Sequence, residues 1–180
     1  MSGLGRLLGV VRERAVLWLA VALMGSVGGP AFGLDPLPAP TGPVILTVSG
    51  NITVSNTDKG AEFDREMLYA LGLTEIRTHT AWTDGVQVFE GVLLRAVLER
   101  VGASGSTVTG NALNDYAASF PIEEASKYNV LLAAKMNGEE MQVRDRGPLW
   151  IVYPRDDHPE LQEPQFNDRW VWQLSEIIVQ

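Results

Sequence analysis

Residues 89–103, with the sequence FEGVLLRAVLERVGA, are the stretch that decides the fold. Apolar residues recur in it at three- and four-residue spacing, which is typical of a helix with one apolar face. The residues on that face are Leu94, Val97, Leu98 and Val101. Gly102 follows at the position where glycine commonly ends a helix. The stretch therefore predicts an amphipathic helix over residues 91–101.

Weaker patterns on both sides of this helix predict the remaining elements. Phe63, Met67 and Leu71 recur four residues apart before Gly72, and they predict a second helix over residues 61–71. The dipeptide Asn137-Gly138 predicts a tight hairpin turn. Residues 155–168 are expected to form a long acidic loop. Strands are expected at residues 44–48, 74–80, 107–113 and 169–179, and residues 130–134 and 140–143 flank the hairpin turn. Together these elements predict a mixed α+β domain that is mostly β.

The N-terminal residues have the order of a secretory signal peptide. Arginines at positions 6, 12 and 14 precede an apolar run over residues 15–27, and small residues around Ala31-Phe32-Gly33 supply a cleavage site. We expect residues 1–33 to be removed and the chain to be periplasmic; the alternative is an anchor that stays attached. Residues 34–43 are expected to be a proline-rich linker, and residues 44–180 a single domain.

Composition excludes several classes of protein. The chain has 22 acidic and 14 basic residues, a formal net charge of −8, and no basic stripe, so nucleic-acid binding is not expected. It contains no cysteine, which excludes disulfides and thiolate ligands, and two histidines, which are too few for a histidine-rich metal site. No metal site and no catalytic triad are predicted from the sequence.

Aromatic residues beside polar ones are the remaining signal. Trp82 lies among Thr80, Thr83 and Asp84, so its ring either caps the edge of the core or offers a flat face to a ligand. Tyr116 follows Asn114 and Asp115, which gives a donor and an acceptor beside another ring. This combination suits a planar heterocycle with a hydrogen-bonding edge. Further aromatic residues near loops are Tyr153 and Trp170, whereas Trp150 and Trp172 have apolar neighbours and are expected in the core.

Five motifs in the same order resemble a known family. They are FEGVLLRAVLERVGA, NALNDYAASFP, LLAAKMNGEEM, RGPLWIVYP and RWVWQLSEIIV, and the resemblance covers roughly residues 44–179. This order looks like the sulfite-oxidase-type molybdopterin-binding fold, and most closely like its small exported members. The resemblance implies a mostly β, mixed-sheet and barrel-like fold with a few short helices.

The resemblance also bears on chemistry. In the catalytic members a cysteine thiolate, from a loop shortly before the helix of residues 91–101, ligates molybdenum. The corresponding window here is residues 78–82, THTAW, which contains no cysteine. A threonine hydroxyl does not replace a soft thiolate on a redox metal. On this ground neither molybdopterin nor redox activity is expected.

Cysteine-free exported relatives are similar to periplasmic pterin-binding proteins that report pterin availability to a membrane enzyme of cyclic-di-GMP metabolism. The resemblance implies a pterin or reduced folate-like ligand, and the periplasmic domain of a membrane GGDEF/EAL protein or sensor kinase as partner. Trp82 would stack on the ligand, with Thr80 and Asn114 hydrogen-bonding to it and Asp115 accepting from its edge. The remaining pocket walls would be Tyr116, Tyr153 and Arg155.

Two other functions remain open at the level of sequence. One is a molybdopterin-dependent periplasmic oxidoreductase that holds its metal without a protein thiolate. The other is a structural interaction module whose pocket is filled by its own side chains, in which case Trp82 would lie in a closed apolar cavity.

Overall fold

Strands dominate the part of the chain that the computed structural model describes, residues 34–180. The predicted signal peptide, residues 1–33, lies outside the described residues. The strands form two sheets and the helices are short, so the predicted mostly β member of the α+β class is confirmed.

The first sheet has five strands, numbered in chain order through the whole molecule. They are β1 (Leu46–Gly50), β2 (Ala61–Phe63), β5 (Thr107–Ala112), β6 (Ala117–Pro121) and β10 (Leu174–Val179). Their spatial order is β2-β1-β10-β5-β6. β1 and β10 are parallel, and the other neighbours are antiparallel. The last strand of the chain therefore lies at the centre of this sheet.

The second sheet is antiparallel and also has five strands. They are β3 (Leu73–Thr78), β4 (Gln87–Leu93), β7 (Leu131–Met136), β8 (Glu139–Glu140) and β9 (Trp150–Val152). Their order is β3-β4-β7-β8, and β9 also pairs with β7. β3 is thus an outer strand.

In the described part of the chain, three α-helices and three 3-10 helices connect the strands. They are α1 (Arg65–Tyr69), α2 (Leu94–Arg100), α3 (Glu124–Lys127), Val143–Asp145, Pro159–Gln162 and Pro164–Arg169. Within residues 34–180, none of the helices has the length and apolar character needed to cross a membrane.

The two sheets are joined where β9 meets the segment that leads into β10. Trp150 and Trp172 form an isolated antiparallel bridge. The Ile151 N–H donates to the Val171 carbonyl at 2.9 Å. The Leu174 N–H donates to the Leu149 carbonyl, also at 2.9 Å. This junction brings the C-terminal segment of the chain against the second sheet.

Residues 89–103 begin as a strand and continue as a helix. Residues 91–93 belong to β4, and α2 begins only at Leu94, so the predicted start of the helix was wrong by three residues. The reason is the contact between β4 and β7, since a Cβ at Gly91 would overlap the Leu132 carbonyl. Glycine there permits the close approach of two backbones. The buried face of α2 contains Leu94, Val97 and Leu98, as predicted.

The predicted helix over residues 61–71 is also shorter than expected. Ala61 and Phe63 are buried on one side of β2, which pairs with β1. Helix α1 starts after Asp64, whose carboxylate accepts a hydrogen bond from the Met67 N–H at 2.9 Å. Phe63 fits a period of two as well as a period of four, so spacing alone did not distinguish the two structures.

Other boundaries follow from local backbone geometry. The Asn137-Gly138 turn is confirmed, with positive φ angles of 53° and 84°, as a type I′ hairpin requires. The closing strand begins at Leu174 and not at residue 169, because Gln173 has a φ of 53° that interrupts extended structure. The predicted acidic loop over residues 155–168 instead contains two 3-10 helices.

The proline-rich segment of residues 34–43 is fastened to the domain. The Arg100 guanidinium donates to the carbonyls of Asp35 and Pro36, each at 2.9 Å. The Asp64 carboxylate accepts from the Thr41 and Gly42 N–H groups at 2.8 and 2.9 Å. The predicted linker is therefore a strap along the surface of the domain, and Leu37 within it is buried.

Asp64 is expected to make stability depend on pH. Its hydrogen bond from Met67, followed by those from Gly42 and Thr41, lowers the pKa of its carboxyl below the usual 3.8. A lowered pKa stabilises the fold fully above that usual value, and the contribution is lost as the pH falls through the folded-state pKa. Asp64→Asn should lower the melting temperature at pH 7 by a few degrees, and by less at pH 3. Thermal melts at both pH values test this; an equal deficit at both would contradict it.

Candidate functional site

A recess of about 260 Å³ lies beside the junction of the two sheets. Three chain segments meet around it: the β3–β4 loop, the β5–β6 turn and the segment that precedes β10. Its lining residues are Trp82, Asn114, Tyr116, Asn167, Asp168, Trp170 and Trp172. Four of these seven side chains are aromatic, two are carboxamides and one is a carboxylate. The recess therefore combines ring faces with a polar edge.

Trp82 is half-buried and belongs to a cluster of four indole rings. The centroid of its ring lies 5.5 Å from that of Trp172, 5.6 Å from Trp170 and 6.2 Å from Trp150. The rings of Trp82 and Trp172 are nearly perpendicular, at 84°. Trp82 thus packs on the edge of the core and also lines the recess.

Thr80 positions the loop that carries Trp82. It is buried, its hydroxyl lies 2.8 Å from that of Thr83, and it accepts a hydrogen bond from the Trp82 N–H at 3.0 Å. Arg146 donates to the Trp82 carbonyl at 3.2 Å. Thr80 is not among the lining residues, so it acts on the recess through the loop conformation rather than by contact with a ligand.

The start of the same loop is fastened by Asp156. This carboxylate accepts from the His79 N–H at 3.0 Å and lies 2.8 Å from His79 Nδ1. The Asp156 N–H in turn donates to the Thr78 hydroxyl at 3.1 Å. These contacts join the end of β3 to the segment after β9, and no spacing in the sequence indicated them, because the residues are far apart along the chain.

The β5–β6 turn places two of its three predicted site residues at the recess. Asn114 Oδ1 accepts from the Tyr116 N–H at 3.2 Å, and the Tyr116 hydroxyl donates to the Asp168 carbonyl at 2.7 Å. Asp115 occupies the left-handed corner of the turn, with a φ of 65°, and does not line the recess. The carboxylate at the recess belongs to Asp168, which no pattern in the sequence singled out.

Tyr153 and Arg155 lie elsewhere. Tyr153 is fully buried and its hydroxyl donates to Glu124 Oε2 at 3.0 Å. Burial, and next the charge of Glu124, raises the pKa of this phenol far above its ordinary value of 10.0. Arg155 donates to the Gln162 carbonyl at 3.3 Å and does not line the recess. The sequence analysis expected both residues as walls of the pocket, but neither lines this recess, and the Tyr153 side chain lies in the core.

Among residues 34–180, the Asp168 carboxylate is the one charged group that lines the recess. Within residues 34–180, the Asp168 carboxylate has no side-chain hydrogen bond or ion pair, and no lysine or arginine lines the recess. Partial burial, and next the negative charge of Asp168, raises the pKa of the Tyr116 phenol. Trp170 also lines the recess, and its buried Nε1 has no hydrogen-bond partner in the described part of the chain. Such a donor is normally satisfied by an acceptor.

Comparison with protein families matches residues 60–156 to the oxidoreductase molybdopterin binding domain, which is more than half of the 180 residues. The chain belongs to this family. The match includes Trp82, Asn114 and Tyr116, but the four other lining residues lie beyond it. Comparison with curated proteins gave no match. The family confirms the sulfite-oxidase-like, molybdopterin-binding type of domain that the five motifs indicated.

Membership of this family favours molybdopterin as a ligand, against the expectation from sequence. The side chains at the recess fit that cofactor poorly. The chain has no cysteine to supply a thiolate to molybdenum, and among residues 34–180 no cluster of three or more metal-ligating side chains is present. A phosphate would meet Asp168 and no lining cation of the described chain. The side chains that line the recess therefore supply neither a soft ligand for molybdenum nor a cation for a phosphate.

Proposed function

We propose that this protein is an exported, non-catalytic pterin-binding protein that reports ligand occupancy to the periplasmic domain of a membrane GGDEF/EAL protein or sensor kinase. The observation that supports this most is the recess: indole faces and a carboxylate without a partner among residues 34–180, in a molybdopterin-binding domain whose chain has no cysteine. The expected signal peptide and the resemblance to exported relatives support the location and the partner.

Stacking is the first element of the proposed recognition. A pterin is planar, and an aromatic side chain contributes about 1–3 kcal/mol when it stacks on a flat base. Trp82 offers this face because it is half-buried and lines the recess. The near-perpendicular Trp172 ring fixes the orientation of Trp82. The indole cluster therefore holds the stacking face in place before the ligand arrives.

Edge recognition is the second element. The amino group and ring N–H of a pterin are adjacent donors, and a carboxylate accepts such a pair with charge assistance. The Asp168 carboxylate lines the recess, and so takes the role that the sequence pattern suggested for Asp115. Asn114 and Asn167 also line the recess and supply carboxamides.

Exposed apolar side chains close to the recess support a docking surface for the partner. Leu113 and Val143 are half-exposed, and Gln173, the residue after Trp172, contacts both segments. Its carbonyl accepts from the Leu113 N–H at 2.9 Å, and its Nε2 donates to the Val143 carbonyl at 2.7 Å. A ligand against Trp172 would thus lie one residue away from an exposed apolar rim. This proximity supports coupling between occupancy and partner binding.

The molybdopterin-dependent oxidoreductase remains the second candidate, because the family match favours it. Metal analysis of protein purified from its own periplasm separates the two functions. We expect no stoichiometric molybdenum, since no thiolate is available as a ligand. One molybdenum per chain, or steady turnover with an artificial electron carrier, would replace the binding function by the enzymatic one.

Trp82→Ala tests the stacking face. Titration with tetrahydrobiopterin, followed by indole fluorescence, should show affinity weakened by about ten- to a hundred-fold, equivalent to about 1–3 kcal/mol. Trp82→Phe should retain part of the affinity, because a smaller ring still offers a face. Thermal melts serve as the control for folding. A folded Trp82→Ala variant that binds like the parent would place the pterin elsewhere.

Asp168→Asn and Asp115→Asn form a matched pair for the edge contact. Both remove one negative charge close to the β5–β6 turn, but only Asp168 lines the recess. We expect Asp168→Asn to weaken pterin binding by roughly tenfold, because a charge-assisted acceptor is lost, and Asp115→Asn to leave it nearly unchanged. Equal effects would show that net charge and not contact governs binding. The reverse order would restore Asp115 as the acceptor.

A further inference from the structure

β3 is an outer strand of the second sheet and has a free edge. The hydrogen bonds of the neighbouring strand β4 determine which backbone groups of β3 point to that edge. On β4, the Val88 N–H donates to Asn137 Oδ1 at 3.0 Å and the Val88 carbonyl accepts from the Asn137 N–H at 2.7 Å. Asn137 follows β7, so the backbone groups of Val88 point away from β3. Successive residues of a strand direct these groups to opposite sides. Gln87, Phe89 and Gly91 therefore direct theirs toward β3.

The pairing of β3 with β4 determines which backbone groups of β3 point toward β4 and which point to the free edge. Thr78, Ile76 and Thr74 lie opposite Gln87, Phe89 and Gly91, and so exchange hydrogen bonds with β4. The residues between them, Leu73, Glu75 and Arg77, direct their N–H and carbonyl groups to the free edge. No strand within residues 34–180 pairs with β3 on that side.

The side chains along this edge carry opposite charges. Glu75 and Arg77 are exposed by 54% and 68%, and their charged groups lie 3.8 Å apart within one chain. Charged residues on an outer strand usually prevent pairing with another strand. Two opposite charges on alternate residues have a different consequence, because such a pair is complementary to its own copy in antiparallel orientation.

We propose that β3 pairs antiparallel with β3 of a second copy, about a two-fold axis at Ile76. In this register Glu75 lies opposite Arg77 of the second copy, and Arg77 opposite Glu75 of the second copy. Both residues direct their backbone groups outward, so each of the two pairs exchanges two hydrogen bonds. A two-fold contact repeats each interaction in this way.

Charge selects this register over its neighbours. An axis at Glu75 would place Glu75 opposite itself, and an axis at Arg77 would place two arginines together, which is destabilising in both cases. A two-fold axis that passes between two residues would place backbone groups that point to the free edge opposite groups that point toward β4. The pairing between the two copies would end at His79, because its N–H already donates a hydrogen bond to the Asp156 carboxylate. The contact is therefore short, and the dimer should form in a concentration-dependent manner.

Sedimentation of the purified protein and two charge-reversal variants tests the proposal. E75R and R77E each turn both attractive pairs into repulsive ones, and each should raise the dimer dissociation constant by roughly tenfold or more. An equimolar mixture of E75R and R77E should form a heterodimer, because every pair between the two variants is again opposite in charge. The double variant E75R/R77E should dimerise like the parent.

R144E is the matched control, since it reverses one exposed charge of the Arg144–Asp145 pair, which lies outside β3. It should leave the dissociation constant unchanged, and thermal melts should show all variants folded. Three results would each overturn the proposal: a parent that is monomeric at about 1 mM, single variants that dimerise like the parent, or a mixture no more associated than its components.

Discussion

The bridge between Trp150 and Trp172 is the contact on which the rest of the molecule depends. It joins an outer strand of one sheet to the segment that becomes the central strand of the other. Trp150 is fully buried, and the centroid of its ring lies 5.4 Å from that of Phe89 and 6.0 Å from that of Trp170. The recess exists because the three segments that form it all converge on this junction. The core and the candidate site are thus one continuous aromatic structure.

Local patterns predicted the elements whose determinants lie close together in the sequence. The apolar face of α2 and the Asn137-Gly138 turn need no distant partner to be recognised. The start of α2 was misplaced because the role of Gly91 depends on β7, about forty residues later. Phe63 was assigned to a helix for a similar reason, since its pairing with β1 is not visible in spacing.

The candidate site was predictable in its aromatic part and not in its charged part. Trp82 was conspicuous because polar residues surround it, and Tyr116 because it follows Asn114. Asp168 gave no such signal, since it stands in an acid-rich stretch where most carboxylates are solvated. The hydrogen bond from the Tyr116 hydroxyl to the Asp168 carbonyl joins that stretch to the turn, and spacing in the sequence does not show it. Asp115 was the nearer choice in sequence, and the turn directs it away from the recess.

The four clustered indoles also give the molecule an optical property. Their centroids lie within 6.2 Å of their neighbours, and the rings are inclined at 54° to 84°. Transition dipoles of indole rings at such distances and inclinations couple, so the circular dichroism of the folded protein should carry an exciton contribution from this one location. The same spectrum would then report the junction of the two sheets and the wall of the recess together, without any added label.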